Sequence, residues 1–243
     1  MKKIILMVFL TMLGLSGCTE LKRAKVLLPH SWVGMRKVSS HLYVEDNMSI
    51  QVQKKIEKAI PKAKEHVADM YGDVITRPVI YACRSQECAQ SLGLGRARGL
   101  RLFGHLLLSN KGLNKEIIAH EWSHEELYER IGGFWHWYKE IPIWFDEGLA
   151  SLTMQTYSRY DEQAWHRIVK EKIPYPKKAE MATLQQWGEV NRVYRTNDSM
   201  NVPYATARHI VAKWYEKVGQ KGILKLLNSI RNGEKFEELY ERK

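Results

Sequence analysis

Between Asn114 and Ile131 runs a segment with helical spacing that holds His120-Glu121-Trp122-Ser123-His124. A helix stacks side chains four positions apart on one face, so His120 and His124 can hold one metal ion from the same side. This spacing commits the segment to a helix and requires a further ligand from elsewhere in the fold. Asn114 is a suitable N-cap and Gly132-Gly133 a suitable stop. Downstream, Ile141 to Ala150 begins a second apolar helix with Pro142 in its first turn. A glutamate on that helix is where the third ligand is needed. Two nitrogens, a carboxylate oxygen and an open position for water fit zinc best, as one Zn2+ ion. Glu121 sits beside the ligands and can take a proton from that water.

Two pieces, H-E-W-S-H and the W-F-D-E-G-L-A run from Trp144 to Ala150, resemble the gluzincins. These are zinc metallopeptidases whose third ligand is a glutamate on a following helix. The similarity is closest to the branch that includes the M1 aminopeptidases, and Val202-Pro203-Tyr204 to Ala207 is similar to its V-P-Y-x-x-G segment. The resemblance implies His120, His124 and Glu147 as metal ligands, Glu121 as general base and Tyr204 as the donor to the oxyanion. It also prefers Glu147 to the neighbouring Asp146, since adjacent helical positions point about 100° apart and cannot easily share one ion. His136 is the alternative third ligand, and Arg208, one helical turn beyond Tyr204, the alternative oxyanion donor. Ser151 shares a helix face with Glu147 and is a candidate to support it. The chain departs from the pattern in three places: 22 residues separate His124 from Glu147, Ala207 replaces the glycine, and no G-x-M-E-N segment precedes the zinc helix. The last departure removes the group that recognises a free amino terminus and favours an endopeptidase.

Residues 1–17 have a short basic start, Lys2-Lys3, and an apolar run from Ile4 to Leu15 that is too short to span a bilayer. Leu15-Ser16-Gly17-Cys18 resembles a lipobox, the processing signal of bacterial lipoproteins. This implies cleavage before Cys18, acyl chains on that residue and a lipid-anchored place in the bacterial envelope. Thr19, rather than Asp, after the cysteine favours the outer membrane, facing the periplasm. Removing Lys2 and Lys3 lowers the formal charge from +11 to +9. Such a balance suits nucleic acid in general, but export argues against that partner and leaves anionic lipid, acidic cell-wall polymer or plain solvent. The expected partners are a peptide or protein substrate and, through the lipid, the membrane.

Cys83 and Cys88 are the other two cysteines, and in an oxidising compartment they are expected to pair across a tight loop. The expected organisation is a signal peptide over 1–17, the lipidated cysteine and tether over 18–40, and one metallopeptidase domain over 41–243. The fold class is α+β: a small, mainly antiparallel sheet, then a helical half, with a zinc cleft between them. His41–Val44, Arg77–Cys83 and Leu102–Ser109 read as strands, and the last would border the cleft as an edge open to strand addition. Gly93–Gly104, with four glycines, reads as a turn or flap. Ser49–Tyr71 reads as a helix kinked or split at Pro61. His66, Glu125, Glu126 and Glu129 read as solvated. The aromatic run from Phe134 to Phe145 is core, cleft wall or interface.

Two functions follow. One is peptide-bond hydrolysis by zinc-activated water with Glu121 as base. The other is a zinc-binding envelope lipoprotein without turnover. A structural site normally carries four protein ligands and needs neither Glu121 nor Tyr204.

Overall fold

The computed structural model describes residues 21–196 and 200–241, apart from the side chains of residues 156–160. Cys18 and the signal segment lie outside the described residues. The fold is α+β, predominantly helical, with one small sheet. The chain divides into two compact units rather than one. The first joins the chain up to Lys55 with Pro78–Leu113, and the second joins Ile56–Arg77 with Asn114–Lys243.

The first unit holds strands β1 (Met35–Ser39), β2 (Leu42–Glu45), β3 (Val79–Ala82), β4 (Gly99–Leu102) and β5 (His105–Leu108). Their order is β1-β2-β3-β5-β4. The two outer pairs are antiparallel hairpins, while β2–β3 and β3–β5 are parallel. The sheet is therefore mixed, not mainly antiparallel. The reason lies in the connections: β2 reaches β3 through helix α1 (Ile50–Tyr71), and only a crossover of that kind sets neighbouring strands parallel. Alternation along β3 and β5 then buries both faces. Tyr81, Cys83 and Leu107 join Val26, Met35, Leu92 and Leu94 in one cluster, while Ile80, Ala82, Leu106 and Leu108 are buried on the other face.

Four expectations change here. Residues 35–39, assigned to the tether, pair as β1 with β2, and Val26 is buried in the same core. Ordered structure thus begins well before residue 41. The glycine-rich segment read as a turn or flap contains β4. The strand expected over 102–109 is shorter, because Phe103 and Gly104, both at positive φ, make the two-residue turn between β4 and β5. Finally, β5 is interior to the sheet, paired on both sides, so it is not an edge. That edge belongs to β4. The Cys83–Cys88 disulfide is formed and ties the end of β3 to the short helix α2 (Gln86–Ser91), which Ser85 caps.

The second unit is helical. It takes the later part of α1, then α3 (Lys115–Arg130), α4 (Phe134–Glu140), α5 (Ile143–Leu152), α6 (Gln155–Lys170), α7 (Leu184–Val193), α8 (Val202–Arg231) and α9 (Phe236–Glu241). Helix α1 runs through Pro61 without a division. Helix α8 breaks at Gly219, whose φ of 60° and ψ of −169° are not helical. Helices α5 and α8 approach closely at Gly148. A Cβ there would overlap Val211 and lie 2.8 Å from the Ala207 carbonyl oxygen. Beside this contact Trp144 and Phe145 pack on Trp214, Phe236 and Tyr240, so the second half of the aromatic run is core. Its first half is not: Phe134, Trp135 and Tyr138 are exposed on α4.

Two side chains read as solvated are buried. Glu126 accepts from the backbone N–H of Ile75 and Thr76, from the Thr76 hydroxyl at 2.6 Å, and from Arg130. The Trp122 indole N–H donates to the same Thr76 hydroxyl. His66 shares a hydrogen bond with the Thr153 carbonyl at 3.1 Å and meets the Lys115 ammonium. Apart from the Glu126–Arg130 pair one helical turn apart, these are tertiary pairings across about fifty residues or more, which helical periodicity does not report. No helix among the described residues is long and apolar enough to cross a membrane.

Candidate metal centre

Helix α3 starts where the Asn114 carboxamide accepts from the backbone N–H of Glu116 and Ile117. Its buried face is fixed against α1 by the Tyr71 hydroxyl, 3.0 Å from the Ser123 hydroxyl. Ser123 is the residue just before His124, so this contact sets the helix rotation at the ligands. His120, Glu121 and His124 then lie on a largely buried face.

Helix α5 brings Glu147 to the same place. The His120 and His124 Nε2 atoms are 3.2 Å apart, and one Glu147 carboxylate oxygen, Oε2, is 3.4 Å and 3.8 Å from them. This trio could hold a metal ion, and among the described residues no other group of His, Cys, Asp and Glu side chains converges in this way. His136 is not part of it. The Glu147 Oε2 atom is buried and has no hydrogen-bond partner. A buried carboxylate oxygen that faces two imidazole nitrogens and accepts no hydrogen bond has the chemistry of a cation ligand.

Asp146 does not compete for the ion. Its Oδ1 lies 2.6 Å from His124 Nδ1, and its Oδ2 accepts from the Trp137 indole N–H at 2.8 Å. A carboxylate on Nδ1 holds the proton there and leaves the Nε2 lone pair for a metal. Trp137 in turn fixes the carboxylate. Burial pushes the His124 imidazole down, but the charge and hydrogen bond of Asp146, aided by Glu147 and Glu121, outweigh it and raise its pKa to about 10. The metal-free pocket thus favours one positive charge among its carboxylates, supplied by a proton.

Tyr204 stands at the start of α8, with its ring 6.4 Å from that of His120. The charges of Glu147 and Glu121 act on its hydroxyl. The Trp187 ring, on α7, also packs edge-on against Tyr204 at 5.0 Å. Burial first, then the charges of Glu147 and Glu121, push the Tyr204 phenol well above its ordinary value, so it keeps its proton. Arg208 lines a cavity of about 740 Å³ between α6 and α8 with Asp161, Glu162 and His166. Burial lowers its pKa, and the charges of Asp161 and Glu162 offset this only in part.

Sequence reasoning brought His120, Glu121, His124, Glu147 and Tyr204 together, and all five share the helical unit. It missed Asp146 as the partner of His124, and it missed Trp137 and Trp187 altogether. Asp146 had a legible signal, since adjacent helix positions diverge and a residue turned from the metal can meet a ligand from the side. The two tryptophans are linked to the site only through tertiary packing. Ser151, a candidate support for Glu147, is buried with its hydroxyl unpartnered. Comparison of the chain with protein-family models, curated proteins and solved structures finds no significant match to any of them.

Proposed function

We propose that the chain is a zinc-dependent peptide-bond hydrolase of the bacterial envelope, of the gluzincin type and built on a zincin-like fold. The observation that carries this reading is the spacing of the three ligand atoms. Tetrahedral ligands at zinc distances of about 2.0–2.1 Å lie about 3.3–3.4 Å from one another. The three edges here are 3.2, 3.4 and 3.8 Å. With three protein ligands, one position stays open for water or substrate, the arrangement of a catalytic rather than a structural site.

When bound, the ion supplies Lewis acidity, which acidifies a water molecule and polarises a carbonyl group. Glu121 acts as the base that takes the proton from that water and returns it to the leaving amine. It is buried beside the ligands, and its charge is felt by both His124 and Tyr204. Tyr204 keeps its proton through the neutral range and can donate its hydroxyl to the oxygen on which charge develops. One such donor contributes about 3–4 kcal/mol to a transition state. Trp187 supports the phenol in place while this happens. Asp146, braced by Trp137, orients His124.

The test compares the chain from Thr19 onward with its Glu121→Gln variant on a mixed peptide library, read by mass spectrometry. Cleavage by the parent and a loss of several orders of magnitude in the variant, with one zinc retained by both, is the expected result. Turnover that survives the change removes Glu121 as base. No cleavage by either form, with one zinc bound, favours a binding lipoprotein instead.

A further inference from the structure

We propose that residues 21–32 form an apron that binds the surface of an anionic phospholipid bilayer directly, in addition to any acyl anchor. Four apolar side chains stand out from this short stretch: Leu21, Leu27, Leu28 and Trp32, at 61, 56, 43 and 76 % exposure. A single exposed leucine needs no explanation, but three leucines and a tryptophan within twelve residues do.

The stretch is also held in place. Val26 is buried in the core of the first unit and Val33 packs on that core. The His30 ring lies 4.7 Å from that of Tyr43. Two short 3-10 turns, Ala24–Leu27 and His30–Val33, carry these inward contacts. Leu27 and Trp32 each sit beside an inward-facing valine, so the same turns that fix the backbone direct them to solvent.

Charge identifies the occupant. Lys22, Arg23 and Lys25 are interleaved with the apolar residues, Arg36 and Lys37 follow, and no acidic residue occurs from Leu21 to Val44. Lysine stems cover apolar surface while their ammonium groups reach phosphates, and tryptophan favours the level of the headgroups. A protein partner of ordinary character would be met by mixed charge. The position in the chain agrees, and here the inference rests on the reading of Cys18 as the lipidated residue. Three residues span at most about 11 Å, which keeps Leu21 at the bilayer surface.

The experiment uses the chain from Thr19 onward, which contains every described element and no lipid. It is sedimented with phosphatidylcholine vesicles, with and without phosphatidylglycerol. Binding is expected only with the anionic lipid and should weaken as salt rises. Trp32→Ser and Leu27→Ser should each weaken it. Lys22→Gln and Lys25→Gln should cost about five-fold each. Brominated lipid should quench part of the tryptophan fluorescence, and that part should vanish in Trp32→Phe. All variants should keep the parent's melting temperature, since the changed side chains are exposed. Equal binding to both vesicle types, or variants that bind like the parent, overturns the proposal. Variants that change self-association in sedimentation velocity without changing vesicle binding assign the surface to a second copy instead. Peptide cleavage, measured on the same preparations, succeeds or fails independently of vesicle binding.

Discussion

At the scale of single residues, the contact that says most about the site is the one between Asp146 and His124. An imidazole can offer either nitrogen, and the carboxylate at 2.6 Å from Nδ1 decides which. Asp146→Asn removes the charge and can offer an N–H where an acceptor is needed. Metal affinity should fall about 10–100-fold, measured by competition against a chromogenic chelator, while the helical circular dichroism stays unchanged. An affinity equal to that of the parent would show that Asp146 only packs. His120 lacks the equivalent support: its Nδ1 is buried and has no hydrogen-bond partner. The two histidines therefore differ, although the motif treats them alike.

Between elements, the distance between α5 and α8 brings Glu147 to Tyr204. Gly148 permits that distance. Gly148→Ala should push α5 away from Val211 and Ala207, cost about 1–3 kcal/mol through overpacking, and weaken metal binding in the same variant. A melt that falls while metal affinity holds would disconnect Glu147 from the helix spacing. A second element contact, Glu126 with the 75–76 backbone and Arg130, ties α3 to the end of the segment that follows α1. Glu126→Ala leaves the Ile75 and Thr76 backbone N–H groups without their acceptor and Arg130 with Asp73 alone, and should cost about 3–5 kcal/mol by denaturant titration. A loss under about 1 kcal/mol would mean that solvent replaces the carboxylate.

This scale is also where the sequence was most and least legible. The two histidines of α3 that could hold a metal ion share one helix, so a spacing of four residues states their geometry outright. Asn114, Pro142 and Gly219 are local signals, and each marks an element boundary in the structure. Glu126 has one local partner, Arg130 a turn on, but its other partners and those of His66 lie 49 to 87 residues away and leave no such mark. The parallel centre of the sheet was hidden for a similar reason. Strand residues declare a pleat and a buried face, but not which neighbour they will choose. The exposed aromatic residues on α4 were unreadable in another way: composition marks Phe134 and Trp135 as apolar, and only packing tells that nothing described covers them.

For the molecule as a whole, proton and metal compete for one place, and pH should report it. His124 moves from an ordinary value of 6.5 to about 10 in the metal-free fold. A raised value means that the charged imidazole stabilises the fold. This contribution is complete below about pH 6.5 and is lost as pH rises through about 10. A bound ion takes the place of that proton and binds better as the proton leaves. The melting temperature of metal-free protein should therefore fall from pH 6.5 to 10, and the gap to the zinc-loaded form should widen over the same range. Parallel curves would place the titrating group elsewhere.

The parallel centre of the sheet has a consequence in time. Its three middle strands begin at residues 42, 79 and 105, so no two middle strands are joined as a hairpin. A chain emerging from its amino terminus can close the β1–β2 hairpin early, but β3 must wait for α1 and then lacks its second neighbour until β5 arrives. The sheet is completed only when residue 108 is free, seven residues before the ligand-bearing helix starts. Contacts this distant along the chain are slow to form. A chain halted before that point would carry unpaired strands, exposed to proteases and to copies of itself.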